Sequence, residues 1–328
     1  MSNHSFSSIT LLFPGQGSQY VGMYQALLEN GVPLAIVQRI FNEADTVLAE
    51  PLSDLTKNGP LADLSLTQNT QPAIITHTYA QLTFLREILK DKKRKIDLVL
   101  GHSVGEYGAL LASEVLTFSD AIKLVRNRGK FMQESVLDQA TAMYAIIKVP
   151  LEIVSEGCKQ VNLLSKDSLV VPANFNEPLQ TVVSGHQNSC DKLIEWLKSN
   201  FQGTFKSVKL TVSAPFHSPL MQQASVKMAN VINQTNFYPL KIPYIANINA
   251  KQFGTETDVA TIKNNLIEQI CGTVHWVKSI EALPENTLCI EVGPSKILQG
   301  LVKRIRPELT LFSLDQPKSF IKLTESYL

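Results

Sequence analysis

Residues 98–107 read LVLGHSVGEY, an apolar run that leads directly into Gly-His-Ser-Val-Gly and then into a helical pattern. A G-x-S-x-G sequence between a strand and a helix predicts a nucleophile elbow, a sharp turn that exposes Ser103 at the edge of a parallel sheet. Side chains at Gly101 and Gly105 would collide with the strained backbone of such a turn. The helix predicted over residues 106–116 points its N-terminal N–H groups at an oxyanion on an attacked carbonyl. The stretch therefore predicts a serine nucleophile that accepts acyl groups.

A bare G-x-S-x-G also arises by chance in unrelated loops. Here residues 96–100 supply the strand and residues 107–112 supply the helix that the motif requires. This placement favours the functional interpretation.

The bulk composition excludes several classes of protein. The chain has 328 residues, 44% of them hydrophobic, and 30 basic against 29 acidic residues give a net charge of +1. This near-zero net charge gives no overall electrostatic attraction for nucleic acid or an anionic membrane. The apolar residues 9–13 near the start are too few for a signal-peptide core, and no apolar run reaches the length of a membrane span. The four cysteines lie far apart without C-x-x-C pairs, so neither a metal site nor a disulfide framework is predicted. We expect a cytoplasmic protein.

The order of elements predicts an α/β fold in two parts. Residues 1–136 alternate strand and helix patterns, which indicates a parallel sheet, and longer helices with short strands return after residue 212. In between, the order is strand, helix, strand, strand, helix, strand, as in ferredoxin-like folds. We predict a large α/β-hydrolase-like subdomain over 1–136 and 207–328, with a small ferredoxin-like subdomain inserted over 137–206. The predicted small-subdomain elements are strands 143–149, 168–173, 180–184 and 206–212 and helices 151–161 and 188–200; strands 9–13, 243–248 and 288–292 and helices from residue 20 and over 71–90 belong to the large part.

A serine hydroxyl is a poor nucleophile until a base takes its proton. Four of the six histidines are predicted to be structural or exposed: His4, His77, His102 and His186. His102 precedes Ser103 and is expected to point to the opposite face of the strand. His275 precedes Trp276 and is expected to be a packed or half-exposed aromatic neighbour. His217 lies between Pro215 and Pro219 in a loop that re-enters the large subdomain. From spacing alone, the role of base at His217 remains open.

Two further features carry alternative interpretations. The turn after the first strand, FPGQGSQ at residues 13–19, either supplies a second oxyanion N–H group or simply joins a strand to a helix. Arg128 is either a surface charge or a bidentate clamp for a substrate carboxylate.

Six ordered motifs resemble the malonyl-CoA:acyl carrier protein transacylases of fatty-acid synthesis and the free-standing acyltransferases that serve polyketide synthases. The resemblance spans nearly the whole chain. The motifs are FPGQGSQ (13–19), TQPA (70–73), GHSVGEY (101–107), RGKFMQE (128–134), SAPFHSPLM (213–221) and EVGPSKIL (291–298).

This resemblance implies a ping-pong acyl transfer. Ser103 attacks malonyl-CoA, a malonyl-serine ester forms, and the phosphopantetheine thiol of an acyl carrier protein collects the malonyl group. His217 acts as general base and acid, oriented by the main-chain carbonyl of Gln269 instead of a carboxylate. Backbone N–H groups of Gln16 and Val104 form the oxyanion hole.

The resemblance also implies how the substrate is selected. Arg128 pairs with the malonyl carboxylate, Gln71 belongs to the substrate-binding site, and Phe216 stands where malonyl-selective relatives have a bulky residue that meets an α-methyl branch. A buried guanidinium without a partner carries a desolvation penalty, so neutral acyl groups should bind poorly. The expected partners are malonyl-CoA and an acyl carrier protein. A monomer without bound cofactor, metal, nucleic acid or membrane is predicted.

Some positions depart from the family pattern. Residues 177–179, Glu-Pro-Leu, replace the usual Ser-Pro-Gly, which changes the expected shape of the pantetheine entrance. Asn249 replaces a frequent aspartate and Thr273 a frequent proline. The basic run over residues 90–95 is interpreted either as a helix C-terminus or as a landing patch for an acidic carrier or CoA phosphates.

Three other functions compete with malonyl transfer. A related hydrolase would release acyl chains to water, but a carboxylate clamp at Arg128 has no use for neutral chains. A non-catalytic scaffold would be expected to lose Ser103 or His217. A lipase-like hydrolase would need an HGGG-type loop and a histidine later in the chain.

Overall fold

A computed structural model of the chain describes residues 6–135, 140–212 and 214–328. These residues form two β-sheets with helices packed around them. The strands are β1 (Ser8–Phe13), β2 (Leu98–Gly101), β3 (Thr141–Ile147), β4 (Val170–Glu177), β5 (Gln180–His186), β6 (Lys206–Lys209), β7 (Tyr244–Ile245), β8 (Gln252–Phe253), β9 (Thr287–Glu291) and β10 (Thr310–Ser313). The α-helices are α1 (Met23–Glu29), α2 (Leu34–Leu48), α3 (Leu52–Asn58), α4 (Leu61–Leu64), α5 (Thr67–Asp91), α6 (Gly105–Ala112), α7 (Phe118–Glu134), α8 (Leu151–Leu163), α9 (Gln187–Asn200), α10 (Gln222–Gln234), α11 (Val259–Gln269), α12 (Trp276–Glu281), α13 (Ile297–Ile305) and α14 (Pro317–Ser326).

The large sheet has the strand order β10-β9-β1-β2-β7-β8, and only β8 runs antiparallel to its neighbour. Central strands β1 and β2 are almost wholly apolar and buried, as expected for a sheet covered on both faces. Their register pairs Phe13 with Gly101. The loops that follow, with Gln16 after one strand and Ser103 after the other, therefore leave the sheet side by side at its carboxyl edge.

Helices α5 and α7 pack against each other beside this edge. Gly129 of α7 makes the contact possible, because a Cβ atom there would lie 2.5 Å from the carbonyl oxygen of Thr67 and 2.6 Å from the Cα of Gln68. This close approach brings Gln71 of α5 next to Arg128 of α7. The helix contact thus assembles one wall of the site.

The small sheet is antiparallel, with the order β4-β5-β3-β6 and helices α8 and α9 packed on it. Its element order is strand, helix, strand, strand, helix, strand, and it has its own apolar core around Ile146, Val154 and Leu193. The predicted fold class, a parallel α/β sheet with an inserted ferredoxin-like unit, is confirmed. The division into subdomains stays a prediction: its boundary at 136/137 lies outside the described residues, and β6 of the small sheet extends beyond residue 206.

Strand β4 of the small sheet is tied to the loop between α11 and α12. Val274, in the loop between α11 and α12, donates its N–H to the Ala173 carbonyl at 2.8 Å and accepts from the N–H of Phe175 at 3.0 Å. Thr273 adds a side-chain hydrogen bond to the Pro172 carbonyl at 2.7 Å. The side chain of Thr273 therefore helps to hold β4 against this loop.

Several predicted boundaries differ from the structure. The helix after Ser103 ends at Ala112 rather than at residue 116, since the chain turns at Glu114 with a left-handed φ of 58°. The strand predicted over 243–248 is reduced to β7, and the strand predicted over 206–212 is reduced to β6. Helix α5 ends inside the basic run at Asp91, as the helix C-terminus interpretation of residues 90–95 requires. Among the described residues no helix is long and apolar enough to cross a membrane.

Candidate active site

Ser103 lies in a strained turn between β2 and α6, with a left-handed φ of 52°. A Cβ atom on Gly101 would clash with the backbone of Gly105, and one on Gly105 would clash with the Phe13 carbonyl. The steric need for glycine at both positions, predicted from the sequence, is confirmed. Asn247 holds the turn: its Oδ1 accepts the Ser103 N–H at 2.7 Å and its Nδ2 donates to the Gly101 carbonyl at 2.5 Å. Asn247 was not among the predicted site residues, because its neighbours in the chain carry no signal of this contact.

His217 is the histidine that reaches the serine. Its Nε2 lies 2.7 Å from Ser103 Oγ, and its Nδ1 lies 2.9 Å from the main-chain carbonyl of Gln269. Gln269 is the last residue of α11, where helix carbonyls have no intrahelical partner and are free to accept. Because a carbonyl only accepts, Nδ1 carries the proton and Nε2 presents a lone pair to the serine hydroxyl. This arrangement has the geometry of a nucleophile and its general base.

The environment of His217 keeps the imidazole neutral. Burial, and then the positive charge of Arg128, lower the pKa of His217 to about 3, although the hydrogen bond to the Gln269 carbonyl acts in the opposite direction. A neutral imidazole next to a hydroxyl is the form that accepts a proton.

Arg128 is buried, with 2% of its surface exposed, so the surface-charge interpretation is wrong. Its Nη1 donates to Gln71 Oε1 and its Nη2 to Gln269 Oε1, both at 2.9 Å, and Nη2 lies 3.3 Å from Ser103 Oγ. None of the ion pairs among the described residues involves Arg128. Two neutral amides therefore hold a buried cation beside the nucleophile, an arrangement suited to binding a carboxylate.

Gln16 and Val104 both lie near the serine, since Val104 follows it in the chain and Gln16 lines the same cavity as Ser103. The loop that carries Gln16 packs directly on the elbow, because a Cβ atom on Gly15 would lie 2.5 Å from the carbonyl oxygen of His102. Within the described ranges neither N–H donates a hydrogen bond. Unpaired donors at such a turn are available to an oxyanion.

These groups open onto a cavity of about 370 Å³ between the two sheets. Gln16, Ser103 and His217 line it from the large sheet, and Met143 and Asn174 from the small one. Phe216 also lines this cavity and is 8% exposed. In the part of the chain that the structure describes, no group of three or more His, Cys, Asp or Glu side chains is placed to hold a metal.

His102 is one of the residues that line the cavity, and its ring makes structural contacts. Nε2 lies 2.8 Å from Asn176 Oδ1, and the ring packs edge-on against Trp276. The strand ends at Gly101, so the alternation of faces does not extend to His102. Burial lowers the pKa of His102.

The other histidines lie elsewhere. His77 is fully buried with its Nε2 3.5 Å from Asp315 Oδ1, and His186 Nδ1 lies 3.0 Å from the Asp167 carbonyl. His275 packs against Phe175 in a separate cavity. His4 lies outside the described residues.

Comparison with known proteins matches most of the chain. Residues 10–308 match the family described as acyl transferase domain. A malonyl CoA-acyl carrier protein transacylase of Bacillus subtilis is 39% identical over 315 residues, which cover 95% of both chains. The protein of the same name from Staphylococcus aureus is 37% identical over 94% of this chain and 96% of its own length.

Solved structures agree with these relatives. The malonyl CoA-acyl carrier protein transacylase of Coxiella burnetii is similar with a TM-score of 0.87 and 32% identity, covering 98% of each chain. A malonyl-transacylase in complex with a type II polyketide acyl-carrier protein is similar with a TM-score of 0.88 and 33% identity, covering 97% of this chain and 99% of that one.

Proposed function

We propose that this chain, which belongs to the acyl transferase family and within it to the malonyl CoA-acyl carrier protein transacylases, uses Ser103 to carry the malonyl group. The enzyme is an acyl carrier protein S-malonyltransferase that takes its acyl group from malonyl-CoA. The observation that carries the site assignment is the buried Arg128 guanidinium, which has no ion-pair partner among the described residues and lies 3.3 Å from the Ser103 hydroxyl.

The first half-reaction loads the serine. Ser103 Oγ attacks the thioester carbonyl while His217 Nε2 takes the hydroxyl proton, and the resulting oxyanion accepts hydrogen bonds from the N–H groups of Gln16 and Val104. The C–S bond then breaks, and the CoA sulfur leaves with the proton that His217 returns. The malonyl carboxylate pairs with Arg128, which Gln71 and Gln269 orient.

The second half-reaction reverses the first. His217 takes the proton of the phosphopantetheine thiol, the sulfur attacks the malonyl-serine ester, and Ser103 leaves with the proton. Each step is assigned to this chain's own groups, so the proposal calls for no bound cofactor. We also propose a cytoplasmic setting, since Cys158 and Cys190 are free thiols within one buried core.

The experiment that tests the function follows labelled malonyl-CoA in the presence of a panel of fatty-acid and polyketide carrier proteins. We expect label on the carrier with little free malonate. Hydrolysis, the alternative function, finds no support in the comparisons. Free malonate as the main product with every carrier would nevertheless establish it.

The lowered pKa of His217 predicts that serine reactivity does not fall near the usual histidine pKa of about 6.5. A neutral sulfonyl fluoride that modifies Ser103 is a suitable probe, since the reagent does not titrate. We expect its rate of inactivation to stay within about twofold between about pH 5 and pH 8. The control is Glu106→Gln, because burial raises the pKa of Glu106 to about 7, within this range. An acid limb near pH 6.5 that persists in the control would show that His217 has an ordinary pKa.

Phe216 is predicted to exclude substrates with a methyl branch. Replacing it by serine opens space beside the malonyl α-carbon, so the methylmalonyl-to-malonyl ratio of kcat/KM should rise about tenfold, or about 1.4 kcal/mol. The matched control is Phe131→Ser, a partly buried ring outside the cavity. An unchanged ratio in a Phe216→Ser protein with a normal melting temperature would show that Phe216 only packs its loop.

A further inference from the structure

A buried carboxylate that the proposed chemistry does not use lies directly behind the nucleophile. Glu106 is the second residue of α6, a helix whose eight residues are all buried, and its side chain is fully enclosed. A charged residue in such an apolar helix carries a desolvation cost that must be offset. Glu106 lies in the GHSVGEY motif, where a charged residue follows directly on the nucleophile turn, but it was not among the predicted site residues.

One oxygen of Glu106 joins two groups that build the site. Oε2 accepts the Gln269 Nε2 donor at 2.7 Å and the Asn247 N–H at 3.2 Å. Gln269 holds Arg128 with its side chain and His217 with its backbone carbonyl. Glu106 therefore contacts the residue through which both Arg128 and His217 are oriented.

The orientation of the Gln269 amide decides whether Arg128 can be held. Guanidinium groups only donate, so Arg128 requires the amide oxygen of Gln269. With the amide reversed, its NH₂ would face the Arg128 donors, and its oxygen would face two acceptors, Glu106 Oε2 and the Ser103 carbonyl at 3.0 Å from the present Nε2. Each mismatch leaves a buried polar group unpaired, which is costly.

We propose that Glu106 is a positioning residue that fixes the Gln269 amide with its oxygen towards Arg128 and thereby sets the preference for acyl groups with a carboxylate over neutral ones. This inference rests on the proposed function, since it assigns to Arg128 the malonyl carboxylate. The Glu106 side chain is fully buried, and its hydrogen bonds in the described part of the chain go to Gln269 and Asn247, so we assign it an effect through Gln269.

The role requires an acceptor rather than a full charge. Burial raises the pKa of Glu106 to about 7, against the opposing effects of the hydrogen bonds from Gln269 and Asn247 and of the Arg128 charge. Oε1 has no hydrogen-bond partner in the described part of the chain, so a proton can reside there while Oε2 still accepts. A glutamine at this position can present its amide oxygen in place of Oε2 and its NH₂ group in place of Oε1.

The test compares two variants by the ratio of kcat/KM for malonyl-CoA to that for acetyl-CoA. Glu106→Leu removes the acceptor, and we expect the ratio to fall about tenfold or more. Glu106→Gln keeps the acceptor, and the ratio should stay within about threefold of the parent. A purely structural role would lower both kcat/KM values equally. Glu291→Gln is the matched control, since Glu291 is another fully buried glutamate that holds backbone N–H groups away from the cavity.

A double variant tests whether Glu106 acts through Gln269. In a Gln269→Met background the amide is absent, so adding Glu106→Leu should change the ratio no further. If Glu106→Leu does not fold, the ratio is measured on Glu106→Asp, which draws the carboxylate back from Gln269. Three results would each overturn the inference. The malonyl-to-acetyl ratio could stay unchanged in Glu106→Leu, or in Glu106→Asp if Glu106→Leu does not fold. The ratio could fall as far in Glu106→Gln as in Glu106→Leu, or Glu106→Leu could lower it as much in the Gln269→Met background as in the parent. A parent enzyme with no preference for malonyl-CoA would instead refute the proposed function.

Discussion

Ser103→Ala is expected to carry no covalent malonyl group after incubation with malonyl-CoA, whereas the parent protein accumulates one. The Ser103 hydroxyl lies within hydrogen-bond distance of His217 Nε2, at 2.7 Å. The variant keeps the Gln16 and Val104 N–H groups and the Arg128 guanidinium, so it should still bind the substrate. Without a nucleophile the loss of transfer should be complete within detection. Intact-mass spectrometry of the mixed protein measures the adduct directly.

The matched control for this prediction is Ser65→Ala. Ser65 lines the same cavity, and among the hydrogen bonds of the described residues none joins it to His217. Its variant should acquire the malonyl adduct like the parent. An adduct that survives in Ser103→Ala, or one that disappears only in Ser65→Ala, would move the nucleophile away from the elbow.

Arg128→Ala should reverse the acyl preference of the enzyme. The change removes two hydrogen-bond donors and the charge that pairs with the malonyl carboxylate, and it leaves the amide oxygens of Gln71 and Gln269 facing that carboxylate. We expect kcat/KM for malonyl-CoA to fall about a hundredfold to a thousandfold. The value for acetyl-CoA should hold or rise, because no unpaired guanidinium remains in the site. Initial rates with both thioesters give the ratio.

Arg126 provides a control on the same helix. Its guanidinium pairs at the surface with Glu50, with Nη2 2.7 Å from Oε2, and with Asn69. Arg126→Ala removes an equal charge from α7 and should leave the malonyl-to-acetyl ratio as in the parent. If the ratio also stays unchanged in Arg128→Ala, the carboxylate of the acyl group must be bound elsewhere.

The amino-acid sequence by itself determined the features that depend on neighbours along the chain. The elbow at Ser103 could be predicted because the steric need for Gly101 and Gly105 arises within a few residues and repeats wherever the turn occurs. The βαββαβ order of the small sheet could likewise be predicted, since it follows from local hydrophobic patterns. The ends of elements were predicted less well, since β6 and β7 are shorter than the predicted strands. The six ordered motifs also indicated the family, because they occur in the same order along the chain.

The tertiary structure decided the features that join distant parts of the chain. Ser103 and His217 are 114 positions apart, and spacing alone left the base open. The burial of Arg128 follows from the packing of α5 against α7, which no pattern around residue 128 reveals. The same is true of Gln269, which meets Glu106 across 163 positions and Arg128 across 141. Local sterics act on a few consecutive residues and can be inferred from sequence, whereas hydrogen bonds between buried groups exist only after the sheets and helices have packed.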